Sequence, residues 1–165
     1  MMFEAQTEWI APDNFPNLSG YKFISIDLET RDPDLKSKGS GSVIGNGEII
    51  GVAVAVDGWC KYYPFGHEGG GNLDKKKILS WLKDICATDS TKIFHNAMYD
   101  VCWLRSYGIK VNGHIMDTMV MASLVDENRM RYTLNALSWE YLGERKSEAT
   151  LFEIAKNWGI DPKAE

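Results

Sequence analysis

The chain has 165 residues, 44% of them hydrophobic, with six Trp, seven Tyr and a formal net charge of −5. That length suits one domain, and that apolar content is enough to build a core, so a disordered chain is excluded. The acidic balance argues against a broad basic face gripping duplex nucleic acid. Nucleic acid stays open as a substrate, because cations held in a carboxylate cluster can present positive charge to phosphate.

No apolar run approaches the roughly 20 residues that cross a bilayer, so no membrane partner is expected. The start, MMFEAQTEWIAPDNF, lacks a basic segment followed by an apolar one. It does not read as a secretory signal, and a cytoplasmic location is the default. Cys60, Cys86 and Cys102 form an odd set without a CxxC pair. They suit reduced core thiols better than a disulfide framework or a zinc site.

In chain order, residues 1–21 read as an irregular lead-in containing Pro12, Pro16 and Gly20. Residues 22–28 (KFISIDL) are rich in β-branched and aromatic types and predict a buried strand. Arg31 to Gly47 carries Gly39, Gly41, Gly45 and Gly47 among Ser and Lys, and reads as a long loop. Ile49–Val56 and Trp59–Tyr63 predict two strands joined at Asp57-Gly58, a hairpin dipeptide. Asn72 is the expected cap of a helix reaching Cys86, with Ile78, Leu79, Leu82 and Ile85 at helical spacing. Thr91–Phe94 predicts a short strand, and Asn96 to Tyr107 a helix closed by Gly108. Asp117 is expected to cap a helix to about Val125, and Thr133 one that ends near Gly143. Thr150 with Glu153 forms a capping box for a last helix. This order fits an α/β fold, a mixed sheet with an antiparallel meander and helices on its faces.

Asp27 and Glu29 lie two apart in FISIDLE. Period-2 alternation puts both carboxylates on one face with Ser25, while Ile24, Ile26 and Leu28 point the other way. Two acids this close repel unless a cation sits between them, so the pair is a natural half-site for Mg²⁺ or Mn²⁺. The plainer reading is a pair of solvated acids at an exposed strand end. Asp100, in FHNAMYD, sits on a helix whose apolar face is Ala97, Val101 and Leu104. In isolation it reads as a surface acid. Asp117 reads as a helix cap rather than a ligand. His67, His95 and His114 lack the spacing of a histidine metal site.

Taken together, these pieces resemble the DEDD (DnaQ-like) 3′→5′ exonuclease superfamily, specifically the proofreading domain of family A DNA polymerases. The first motif of that family is a strand bearing D-x-E, here FISIDLET. The second is a helix bearing N-x-x-x-D, here Asn96 to Asp100 (NAMYD). The stretches YYPFGHEGG, DTMVMASLVD and YTLNALSWEYLG are also similar to the family, in the same order over residues 22–145. D-x-E alone is weak, and the ordered set is strong.

The third motif, Y-x-x-x-D or H-x-x-x-x-D, does not occur before Glu165, and Asp161 has no Tyr or His at the required offset. The resemblance therefore implies an exonuclease domain over residues 22–165 that is incomplete at its C-terminus, with a fourth carboxylate and a tyrosine downstream. This stretch alone is then expected to be weak or inactive.

The resemblance implies a ribonuclease-H-like fold with a five-stranded mixed sheet. It also implies two divalent ions, Mg²⁺ or Mn²⁺, about 4 Å apart. Asp27 would bridge both ions, Glu29 would ligate the one that activates water, and Asp100 would serve the other through waters. Leu28 and Asn96 would contact the terminal nucleotide, and the Lys36–Lys38 loop the strand. The implied substrate is a single-stranded or frayed DNA 3′ end, the product a 5′-mononucleotide, and the implied partner an attached C-terminal polymerase domain. Two alternatives remain: a non-catalytic, DNA-guiding module of the same fold, and an RNA-trimming enzyme resembling RNase D. A doubly wound small-molecule enzyme is disfavoured, because no Gly-rich phosphate loop follows a strand.

Overall fold

Strict alternation along the first strand sets the architecture. In the computed structural model, which describes residues 9–68 and 71–144, β1 (Phe23–Arg31) buries Ile24, Ile26 and Leu28 and exposes Asp27 and Glu29. β1 is the middle strand of a five-stranded sheet ordered β3-β2-β1-β4-β5. On one side it pairs antiparallel with β2 (Glu48–Val56), which pairs antiparallel with β3 (Trp59–Pro64) across the two-residue turn at Asp57-Gly58. On the other side it pairs parallel with β4 (Thr91–Phe94), itself parallel to β5 (Ile115–Asp117). The expected mixed sheet with a meander is present. The β1–β2 register slips between Glu29 and Thr30. Such a bulge re-aims the side chains that follow it.

α2 (Lys75–Ala87) covers one face of the sheet, burying Ile78, Trp81, Leu82, Ile85 and Cys86. Trp81 packs its ring 4.7 Å from that of Tyr63, and Phe15 of the lead-in stacks on Tyr63 at 5.4 Å. The lead-in is anchored there as well by a hydrogen bond from Trp81 Nε1 to the Pro16 carbonyl, 2.8 Å. α3 (Ala97–Ser106) buries Ala97, Asp100, Trp103 and Leu104.

Several expectations need correction. The cap of α2 is Asp74, whose carboxylate accepts from the Lys76 and Lys77 amides at 2.8 and 3.1 Å. Asn72 instead closes the preceding loop onto the His67 backbone. A carboxylate at the positive end of a helix outcompetes a neutral amide. The loop from Arg31 to Gly47 contains a short helix, α1 (Gly41–Ile44), whose first amide donates to both Asp32 oxygens. β5 has only three residues, too few to give an alternation signal. α3 starts at Ala97 rather than Asn96, which is left-handed at φ 69° and ψ 55°. Of the cysteines, all free, only Cys86 is buried, and Cys60 is exposed.

The chain divides into two compact units, the first ending at Thr118 and the second beginning at Met119. The second contains most of α4 (Thr118–Val125) and all of α5 (Leu134–Leu142). Thr133 caps α5 as expected, and Gly143 ends it in the left-handed region. Arg129 forks onto both carboxylate oxygens of Glu140, which ties the α4–α5 connection to α5. The capping box at Thr150 and Glu153 and the unassigned Asp161 lie outside the described residues. No helix among the described residues is long and apolar enough to cross a membrane.

Lys92 of β4 is fully buried. Its ammonium donates to the carbonyls of Thr88, Ser90 and Asn112 and to Thr88 Oγ1, and burial holds its pKa below the usual lysine range. One cation thus gathers the end of α2 and two connecting loops. Lys92→Met should lower unfolding free energy in urea by roughly 1–3 kcal/mol, the cost of leaving buried carbonyls without a donor.

Candidate functional site

The site starts from a mismatch in strand length. The β1–β4 pairing ends at Ser25 opposite Ile93, yet β1 continues to Arg31. The chain leaves β4 at Phe94, turns at Asn96 and enters α3. The β1 amides beyond Ser25 on that edge therefore need another acceptor. Asp100, in the first turn of α3, supplies one: its Oδ1 accepts from the Leu28 amide at 3.0 Å. This places the Asp100 carboxylate at the backbone between Asp27 and Glu29.

Asp100 is only 4% exposed. Its pKa is pushed up to about 7, first by burial, then against the Leu28 hydrogen bond by the negative charges of Asp27 and Asp117. A carboxyl so placed favours losing its charge or acquiring a cation. Asp27 and Glu29 are exposed on the opposite face from the buried Ile26 and Leu28. Opposite them on β2 stand Ala53 and Gly51, so the floor beside the acids is low.

The sequence-predicted residues divide clearly. Asp27 and Asp100 come close enough for their charges to interact. Glu29 shares the Asp27 face, and its charge acts on the Tyr62 phenol, whose pKa rises to about 12 through burial first and Glu29 second. The Leu28 side chain, 7% exposed, belongs to the core, and what it brings to the site is its amide. Asn96 is exposed and is the one non-glycine with positive φ among the described residues. Backbone strain of that kind concentrates at functional sites. Asp117 accepts from the Asn96 and Ala97 amides at 3.0 and 2.8 Å. From β5, Asp117 thus serves the start of α3 across the β4–β5 pair, a role that sequence reasoning did not foresee.

The donor set consists of carboxylate oxygens, the chemistry that Mg²⁺ and Mn²⁺ prefer, and the buried Asp100 feels the negative charges of Asp27 and Asp117. In donor type and charge the residues fit a hard divalent ion. Among the described residues, no three His, Cys, Asp or Glu side chains converge closely enough to hold a metal by themselves. A ligand set built on Asp27 and Asp100 is thus open rather than closed.

Sequence reasoning missed the supports around these acids. Tyr99, next to Asp100, shares a 2.7 Å hydrogen bond with Thr30 Oγ1 and donates to Asp32 at 3.0 Å. That joins α3 to the end of β1 and, through Asp32, to α1. Tyr62 shares a hydrogen bond with His67 Nε2. No periodicity marks either tyrosine, since both contacts are made at long range or across a loop.

A sequence family described as 3′-5′ exonuclease matches residues 5–165. A DNA-directed DNA polymerase of Pseudomonas phage M6 is 34% identical over 171 residues, covering 96% of this chain and 25% of the relative. The chain spans about a fifth to a quarter of the length of the phage DNA polymerases it matches. Among solved structures, Brucella melitensis NrnC with bound Mg²⁺ superposes with a TM-score of 0.57 at 18% identity, covering 94% of this chain and 65% of that one. Escherichia coli RNase D, an exoribonuclease, gives a TM-score of 0.55 at 16% identity, over 79% of this chain and 30% of that one. These two likenesses establish the fold.

Two outcomes follow from the geometry. The folded pKa of Asp100, about 7, lies above the 3.8 of an ordinary aspartate, so the folded state binds this proton more tightly. Its contribution to stability is complete below about pH 4 and is lost as pH rises through about 7. In chelating buffer, urea unfolding should show Asp100→Asn flattening that decline relative to the parent. Asp117→Ala should cost about 1–2 kcal/mol in the same assay, as loss of a helix cap does.

Proposed function

We propose that this chain, which belongs to the 3′-5′ exonuclease family of family A DNA polymerases, trims single-stranded or frayed DNA 3′ ends by metal-dependent hydrolysis. Water adds to the terminal phosphorus, the bond to the 3′ oxygen of the preceding nucleotide breaks, and a 5′-mononucleotide leaves. The observation that carries the reading is the buried Asp100 carboxylate, pinned to the Leu28 amide beside Asp27 and held at an unfavourable charge.

Asp27, Glu29 and Asp100 are the residues assigned to hold the divalent ions, with a fourth carboxylate from beyond this stretch closing the open set. When bound, such ions set positive charge against the developing phosphate charge and make water more acidic. The protein's own contributions are separable from that chemistry. The Leu28 amide fixes Asp100, and the Tyr99 link to Thr30 and Asp32 holds α3 against β1. Asn96, exposed at the start of α3, and Leu28 are the residues assigned to meet the terminal nucleotide. A frayed end needs only stacking and a few phosphate contacts, which suits a chain of net charge −5.

DNA is favoured over RNA because the curated relatives are DNA polymerases. Their greater length supports an attached polymerase domain as partner. Retention of all three acids supports catalysis over a purely structural module.

In a protein carrying this chain with the fourth carboxylate, Asp27→Ala should reduce Mn²⁺-dependent trimming of single-stranded DNA to background. Chelation should do the same to the parent, and added Mn²⁺ should restore it. Trimming at near-parental rate by Asp27→Ala would remove Asp27 from the metal site. Faster trimming of an RNA oligonucleotide of the same sequence would move the substrate assignment to RNA.

A further inference from the structure

Tyr62 stands on β3 opposite Ala53, yet its phenol leans along the strand over Gly51. A Cβ at Gly51 would lie 2.0 Å from the Tyr62 hydroxyl oxygen, closer than any non-bonded contact allows. Gly51 is the residue directly opposite Glu29 on β1, and such cross-strand pairs sit about 5 Å apart. The missing side chain at Gly51 is thus a notch, and the phenol passes through it toward Glu29.

The far end of the phenol is held. Its hydroxyl shares a hydrogen bond with His67 Nε2, and the two rings meet edge to face at 5.9 Å. His67 is fixed in turn: its amide donates to Asn72 Oδ1 at 2.8 Å, and Asn72 Nδ2 donates to its carbonyl at 2.6 Å. The Trp9 ring lies against the same phenol at 6.2 Å. A chain of contacts therefore runs from the loop after β3 to the edge of the acid cluster.

We propose that Tyr62 and His67 are positioning residues for Glu29: the phenol, seated in the Gly51 notch and locked by His67, restricts the glutamate to orientations that face Asp27. An exposed glutamate has several rotatable bonds, and ordering it costs side-chain entropy. A rigid ring beside it removes part of that freedom before any ion arrives. The charge of Glu29 already reaches the phenol, so the two groups are neighbours electrostatically as well as in register. The inference rests on the exonuclease reading of Glu29 as a metal ligand.

Mn²⁺ affinity, read from the electron-paramagnetic-resonance signal of free Mn²⁺, tests it without any measurement of turnover. Groups that orient metal ligands change affinity by roughly 10–100-fold when removed. Tyr62→Phe and His67→Ala should each weaken Mn²⁺ binding about tenfold with little change in unfolding midpoint. In a Glu29→Gln background neither should weaken it further, since their effect acts through Glu29. Gly51→Ala, which fills the notch, should reproduce the loss when Tyr62 is present and have no added effect with Tyr62→Ala. Unchanged affinity in Tyr62→Phe and His67→Ala, beside a parent that binds Mn²⁺, overturns the positioning role and leaves the metal site standing. A loss that persists in full with Glu29→Gln overturns it too, as an effect on the fold. No Mn²⁺ binding by the parent overturns the metal reading itself.

Discussion

The hydrogen bond from the Leu28 amide to Asp100 exists because β1 outruns β4. Parallel pairing stops at Ser25 and Ile93, and an unpaired amide on the central strand of a sheet is costly to leave bare. A carboxylate delivered by the first turn of the following helix answers that need. It also brings a third acid to a strand that already carries two. The same contact therefore closes a gap in the sheet and concentrates negative charge. The fold's stability and the site's chemistry meet at one atom pair, Leu28 N and Asp100 Oδ1.

Everything around that pair keeps α3 in place. Asp117 holds the amides of Asn96 and Ala97, Tyr99 ties the helix to Thr30 and Asp32, and Trp103 and Leu104 anchor it in the core. Asp117 also adds its charge to the field that raises the Asp100 pKa. An acid can thus be a structural cap and still tune its neighbour. Local strain at Asn96 fits this picture, because the chain must turn sharply for Asp100 to reach β1 within one helical turn.

What sequence made legible follows from how far each signal reaches. The alternation Ile24, Asp27, Glu29 is a property of one strand, and it predicted both the core face and the acid face of β1. The Thr133 cap and Gly143 stop are likewise local, and both were readable. The Asn72 expectation failed because two capping residues lie two apart and local pattern cannot rank them against the loop that claims Asn72. Asp117 was readable as a cap, but its hold on the start of α3 was not, since those two amides lie about twenty residues back in the chain. The clustering of Asp100 with Asp27 could not come from periodicity at all. It entered through family resemblance, and the structure supplies its physical basis in the Leu28 amide. Tyr62, His67 and Gly51 were invisible for the same reason, because a notch exists only once strands are in register.

The central claim is that Asp27 and Asp100 gather negative charge in order to hold a divalent cation. Anomalous diffraction from a crystal of the protein soaked in Mn²⁺ tests this most directly. The account predicts a manganese peak in contact with carboxylate oxygens of both residues, at about the 2.0–2.2 Å expected of a small hard cation, and loss of that peak in Asp100→Asn. Saturating Mn²⁺ that leaves this position empty, with Asp100 still bonded only to the Leu28 amide, would contradict it.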